Sequence, residues 1–183
     1  MGEFNMQYII GQILGIGATV VSILMPMLHK KWQMLAATIG CNLLLALNFI
    51  LIGQLGSGAY LCFVAILQSV VSMGHTVRKT RVTTFEQFLF LGLYVVSGLF
   101  GIATSPGFVM ELNYGNLLEL LPIIGAVILT FSIFAPNEQT TRKFLLANIS
   151  VWAVYTALIG STTFFAEVAA FITTATALYK YRK

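Results

Sequence analysis

The sequence predicts an all-α integral membrane protein with seven transmembrane helices, and three observations carry that prediction. The chain is 58% hydrophobic and only 9% charged. Apolar runs long enough to cross hydrocarbon recur along its whole length, and all ten Lys and Arg residues follow the first, third, fifth or seventh run. A soluble domain of 183 residues needs far more charge to cover its surface, and the mean hydropathy of +0.89 points the same way. No Asp is present; the six acids are all Glu. The net charge of +4 does not indicate nucleic acid, because the basic residues form short clusters between apolar runs, as in cytoplasmic loops.

A helix needs roughly 17–25 mostly apolar residues to cross the hydrocarbon core. Such runs are Tyr8–Leu28, Gln33–Gly53, Ser57–Val77, Phe85–Thr104, Leu117–Ala135, Phe144–Gly160 and Thr162–Tyr179. They are continuously apolar, which argues against alternating β-barrel strands. The stretch from Gly53 to Gly56 and the pair Gly160-Ser161 read as turns between antiparallel helices. Residues Met1 to Asn5 read as a cloning remnant before a native start at Met6. The run that follows has neither a basic flank nor a nearby small-residue cleavage site, so a retained first span is expected rather than a signal peptide.

Charge orients the spans. Lys30 and Lys31 follow the first, Arg78, Lys79 and Arg81 the third, Arg142 and Lys143 the fifth, and Lys180, Arg182 and Lys183 the seventh. The loops after spans two, four and six carry no Lys or Arg. The positive-inside rule therefore predicts a multi-pass protein of the bacterial inner membrane, with the N-terminus outside and the C-terminus in the cytoplasm.

The first three spans find an echo in the last three. Ser22-Ile23-Leu24-Met25-Pro26 returns as Ser132-Ile133-Phe134-Ala135-Pro136, and Ala46 to Gly53 returns as Ala153 to Gly160, at offsets of 110 and 107 residues. Each three-span unit also ends in a basic cluster. The expected organisation is a first three-helix repeat over 6–79, a linker helix and outer loop over 80–116, and a second repeat over 117–183. In such parallel repeats the halves are related by an axis along the membrane normal, with the site between them near the midplane.

This 3+1+3 pattern, with Pro26 and Pro136 at the cytoplasmic ends of the first helix of each repeat, resembles the SWEET and PQ-loop (MtN3-like) transporter superfamily. The stretch from Asn42 through Asn48 to Gly53 resembles more specifically the YgjV-type bacterial inner-membrane proteins, associated with that superfamily. The resemblance covers nearly the whole chain through short motifs. It implies a SWEET-like fold and a cavity between repeats lined by Asn and Trp. Nicotinamide-riboside-type vitamin transporters share that architecture. The chain departs from the Pro-Gln pattern, since Met27 follows Pro26 and Asn137 follows Pro136, so the resemblance bears on fold more than on activity.

Polar groups inside hydrocarbon are costly, and candidate site residues are sought among them. Asn148, Trp152 and Tyr155 are spaced by four and three residues and share one face of a helix. An amide, an indole and a phenol together suit the face and edges of a sugar or ring. Asn48 occupies the position equivalent to Tyr155, and Gln68 is a further cavity candidate. The simpler alternative is that the asparagines only bond a neighbouring helix. Glu167 is the carboxylate inside a span, either a coupling group or a solvated residue at the outer mouth; Glu119 reads as a favourable charge at a helix N-terminus. Pro26 and Pro136 are either paired hinges or simple helix terminators. Gly11 and Gly15 read as a packing motif, Cys41 and Cys62 as inert buried thiols, and His29 and His75 as surface residues.

The expected function is a facilitative carrier for a small uncharged polar solute such as a sugar, nucleoside or vitamin precursor. The alternative is a non-transporting structural or lipid-handling protein. No constellation of nucleophile, general base or metal ligands supports an enzyme, and no cofactor is expected. Expected partners are membrane lipids, the solute and, as one option, a second copy of the chain; nucleic acid is not among them.

Overall fold

The computed structural model describes residues 6–53, 57–104, 118, 120–158 and 164–182. Among them are seven long helices: α1 Met6–Leu24, α2 Lys31–Leu51, α3 Ser57–Arg78, α4 Thr84–Ala103, α5 Leu120–Ile133, α6 Glu138–Leu158 and α7 Phe164–Lys180. A 3₁₀ turn, Met25–Met27, follows α1. The expected turns at Gly53–Gly56 (from Gln54 on) and Gly160-Ser161, the expected outer loop over 105–117, Glu119 and the expected cloning remnant over 1–5 lie outside the described residues.

Among the described residues, four segments have the length and apolarity to cross a membrane: Met6–Met27, Lys31–Leu51, Gly58–Arg78 and Thr84–Ala103. Helix α5 is apolar but shorter. Helix α6 begins at Glu138, ahead of the expected Phe144, because Asn137 caps it: the Asn137 Oδ1 accepts the Thr140 amide at 2.9 Å. Such a cap lets a polar opening, with Glu138 in the first turn and Arg142 and Lys143 in the second, join an apolar helix. Helix α4 starts on a reciprocal capping box, with the Glu86 amide donating to Thr83 Oγ1 at 3.2 Å and the Thr83 amide to Glu86 Oε2 at 2.7 Å. Helix α3 ends with Lys79 in the left-handed region (φ 56°) and the Thr80 amide reaching back to the His75 carbonyl at 3.0 Å. Gly53 (φ 74°) turns the chain after α2.

Helix α2 packs on both α1 and α3, and α6 packs on both α5 and α7. Helix α3 also meets α5, and α1 meets α7, so six helices close a ring. Helix α4 lies against α3 and α5, presenting Phe90, Tyr94 and Gly98 inward and Phe88, Val96 and Phe100 outward. One apolar cluster joins Leu61, Ala65, Tyr94 and Ala126 where α3, α4 and α5 meet. A second, of Met25, Met34, Leu145, Ile149 and Ala170, fills the space between α2, α6 and α7 near the basic end. The exposed Ile, Leu, Val and Phe of the outer surfaces suit a hydrocarbon solvent rather than water.

Candidate functional site

Helix α6 carries the proposed polar face, and its placement follows from a close approach to α5. At Gly125 an added Cβ would stand 3.0 Å from the Trp152 Nε1 and 3.4 Å from the Asn148 Nδ2. The absent side chain admits both groups. Asn148, buried, donates from Nδ2 to the Gly125 carbonyl at 2.6 Å. Trp152 is half-buried and meets Tyr155 edge-on, with ring centroids 5.8 Å apart at 85°. Asn148, Trp152 and Tyr155 therefore stand together, as their spacing on one helix face requires. Among the described residues no acceptor stands against the indole N–H of Trp152.

Asn48 is on the other side of the ring. Its Nδ2 donates to the Gly11 carbonyl at 2.6 Å, and a Cβ at Gly15 would come within 3.1 Å of the same nitrogen. It thus clasps α2 to α1 through the Gly11–Gly15 spacing, as Asn148 clasps α6 to α5. One N–H of each side-chain amide bonds a carbonyl of a neighbouring helix. Asn42 bonds back to the Thr38 carbonyl of its own helix at 2.8 Å.

Gln68 is fully buried at the junction of α3, α4 and α5, away from the α6 face. It donates to the Thr130 carbonyl at 3.2 Å and accepts from the Tyr94 hydroxyl at 2.9 Å. Glu167 occupies the first turn of α7, half-buried and within electrostatic range of Cys41. Pro26 lies in the 3₁₀ turn after α1, and Pro136 in the connection between α5 and α6, so both stand at helix ends rather than within helices. Cys41 and Cys62 are free thiols. His75 is not a simple surface residue: its Nε2 pairs with Glu86 at 2.9 Å and its Nδ1 with Thr80 Oγ1 at 2.7 Å, tying α3 to α4.

A profile of bacterial inner membrane proteins, Imp-YgjV, matches residues 9–183. The chain belongs to that family. The Imp-YgjV match runs through all seven described helices, and with their apolar surfaces it places the protein in the bacterial inner membrane. No curated protein and no solved structure matches the chain. Among the described residues no group of three His, Cys, Asp or Glu could hold a metal ion.

Sequence reasoning missed a second polar assembly, at the basic end of this Imp-YgjV chain. Arg142 is only 2% exposed. Its Nε donates to the Pro26 carbonyl at 2.9 Å and its Nη2 to the Leu28 carbonyl at 2.7 Å. Its guanidinium lies 4.8 Å from the Tyr181 ring centre. Burial lowers its pKa, while the negative charge of Glu138 nearby works in the opposite direction. A Lys–Arg pair in a basic cluster reads as solvated loop, and no local signal shows that one member turns inward.

Proposed function

We propose that the chain is a facilitative carrier for a small uncharged polar solute, built as a seven-span 3+1+3 protein with its basic face in the cytoplasm. The observation that carries this reading is Trp152: a half-buried indole in the apolar part of α6, its N–H without an acceptor among the described residues, backed by Tyr155. An apolar ring face beside an N–H that no described residue accepts suits a hydroxylated ring, which stacks on one and bonds the other. The packing pattern supports it as well, because a middle helix gripped by its two neighbours occurs once in the first three helices and again in the last three. The near absence of intramembrane carboxylates beyond Glu167 favours facilitated diffusion over tight ion coupling.

One observation favours the second reading, a structural or lipid-handling protein. The space lined by Met25, Lys31, Thr38, Ser132 and Thr141, between the two halves, holds only about 10 Å³, close to the volume of a single water probe. Under the carrier reading this is a closed state. Trp152 fluorescence separates the two. In Trp32→Phe protein, where Trp152 is the remaining tryptophan, sugars, nucleosides and pyridine ribosides are titrated with inner-filter correction. The carrier reading expects a saturable change that Tyr155→Phe weakens at least threefold, followed by flux of the same solute in liposomes. Silence across the panel in folded protein overturns it in favour of the second reading.

A further inference from the structure

The basic end of the molecule carries two clasps that run in opposite directions between the halves. From the second half, Arg142 of α6 holds the carbonyls of Pro26 and Leu28, in the turn that joins α1 to α2. From the first half, the Lys31 Nζ holds the carbonyl of Ala135, the residue before Pro136 in the connection from α5 to α6. The Lys31 amide at the head of α2 donates to Glu138 Oε1 at 3.0 Å, so an acid from the second half caps a helix of the first. Tyr181 closes the assembly. Its ring lies under Arg142 and meets His29 edge-on at 4.8 Å, and its carbonyl accepts from Gln139 Nε2.

The chemistry of the acceptors explains why basic residues are placed here. A helix end leaves carbonyls without intrahelical partners, and a proline contributes no N–H to bond them locally. The Pro26 and Pro136 connections therefore present open carbonyls, each facing a cation of the other half. These acceptors are neutral, so parting them costs less than breaking a buried ion pair, and water can take over each bond once the halves separate. Beneath the clasps, Met25, Met34, Leu145, Ile149 and Ala170 fill the space between α2, α6 and α7. The sequence explains the symmetry only in part: the prolines correspond at an offset of 110, whereas Lys31 and Arg142 do not correspond to one another.

The geometry points to a reciprocal latch: Arg142 on the Pro26 turn and Lys31 on the Pro136 turn hold the basic face closed, and both must release for the space between the halves to open on that side. The gating role rests on the carrier reading; the latch itself is tested without any solute. Ser132 lines the narrow space behind the latch. In a Cys41→Ala, Cys62→Ala background, Ser132→Cys is a single reporter thiol, and a charged, membrane-impermeant thiol reagent is applied to each face of oriented vesicles separately. With Arg142 intact, labelling from the basic face is slow. R142Q is expected to raise that rate about tenfold from the basic face alone, and K31Q to raise it by a smaller factor. R142K, which keeps the charge and loses the fork that reaches two carbonyls, falls between wild type and R142Q. An unchanged rate in R142Q overturns the latch, and so does an equal rise from both faces, which marks general loosening. Failure to find a solute leaves these rates as they are, so the two proposals fail separately.

Discussion

Away from the basic end, the first and last halves of the chain meet along two seams, and the seams are built differently. At the α3–α5 seam polar side chains cross the gap: Gln68 donates to the Thr130 carbonyl and Ser72 to the Ile133 carbonyl at 2.7 Å. Tyr94 of α4, fully buried, ties the third helix in through its bond to Gln68. On α1 and α7 the hydroxyls turn back into their own helices: Thr19 and Ser22 bond the carbonyls of Gly15 and Thr19, and the buried Thr174 bonds that of Ala170. A bond crossing a seam resists separation; one folded back on its own helix does not. The bonded seam is also the one that α4 covers. The difference predicts distinct mechanical roles for the two seams, an anchor at α3–α5 and a yielding contact at α1–α7.

The largest effect is expected where the anchor is most tightly packed. A Cβ at Gly98 of α4 would stand 2.6 Å from the Ile123 Cγ1 of α5. Gly98→Leu therefore cannot be accommodated without moving α4, and a loss of about 3 kcal/mol is expected from overpacking, measured by unfolding in mixed micelles of rising denaturing detergent. Wild-type stability in that variant would mean that α4 does not clamp the seam.

A smaller loss, about 2 kcal/mol, is expected for Gln68→Leu, because the buried Tyr94 hydroxyl then has no acceptor. Tyr94→Phe in the same background should cost almost nothing further, and a double-mutant cycle reads the coupling between the two. Additive losses would show that the network is two independent contacts. The smallest effect belongs to the other seam. Thr174→Val on α7 removes a hydroxyl that bonds only its own helix, and the change should stay below about 0.5 kcal/mol. A loss comparable to that of Gln68→Leu would erase the distinction between the seams.

The contrast between particular residues shows how far the sequence could be read. Seven apolar runs were legible from hydropathy, and the turn at Gly53 from its glycines, but the start of the sixth helix was not: Asn137 caps it at Glu138, six residues ahead of the apolar run that begins at Phe144. The α6 face was legible, since Asn148, Trp152 and Tyr155 share it by spacing alone. What an asparagine bonds was not. Asn48 and Gln68 look alike as polar residues in apolar runs, yet one clasps α1 and the other anchors α5 across 62 residues of chain. Arg142 is the clearest case, for its partners lie 116 and 114 residues away and its neighbours in sequence give no hint of burial.

The sequence by itself determined that this chain belongs in a membrane, that apolar helices build it, and which helix ends carry the positive charge, because these depend on hydropathy and on residues close together in the chain. Only the tertiary structure decided which polar groups face one another. It took Gly11, Gly15 and Gly125 to bring neighbouring helices close enough for asparagine to reach a carbonyl. It took the two proline connections, placed side by side by the ring, to turn Lys31 and Arg142 inward. The physical reason is distance along the chain: a periodic pattern reports which face a residue occupies, while the identity of its partner depends on how remote helices are brought together.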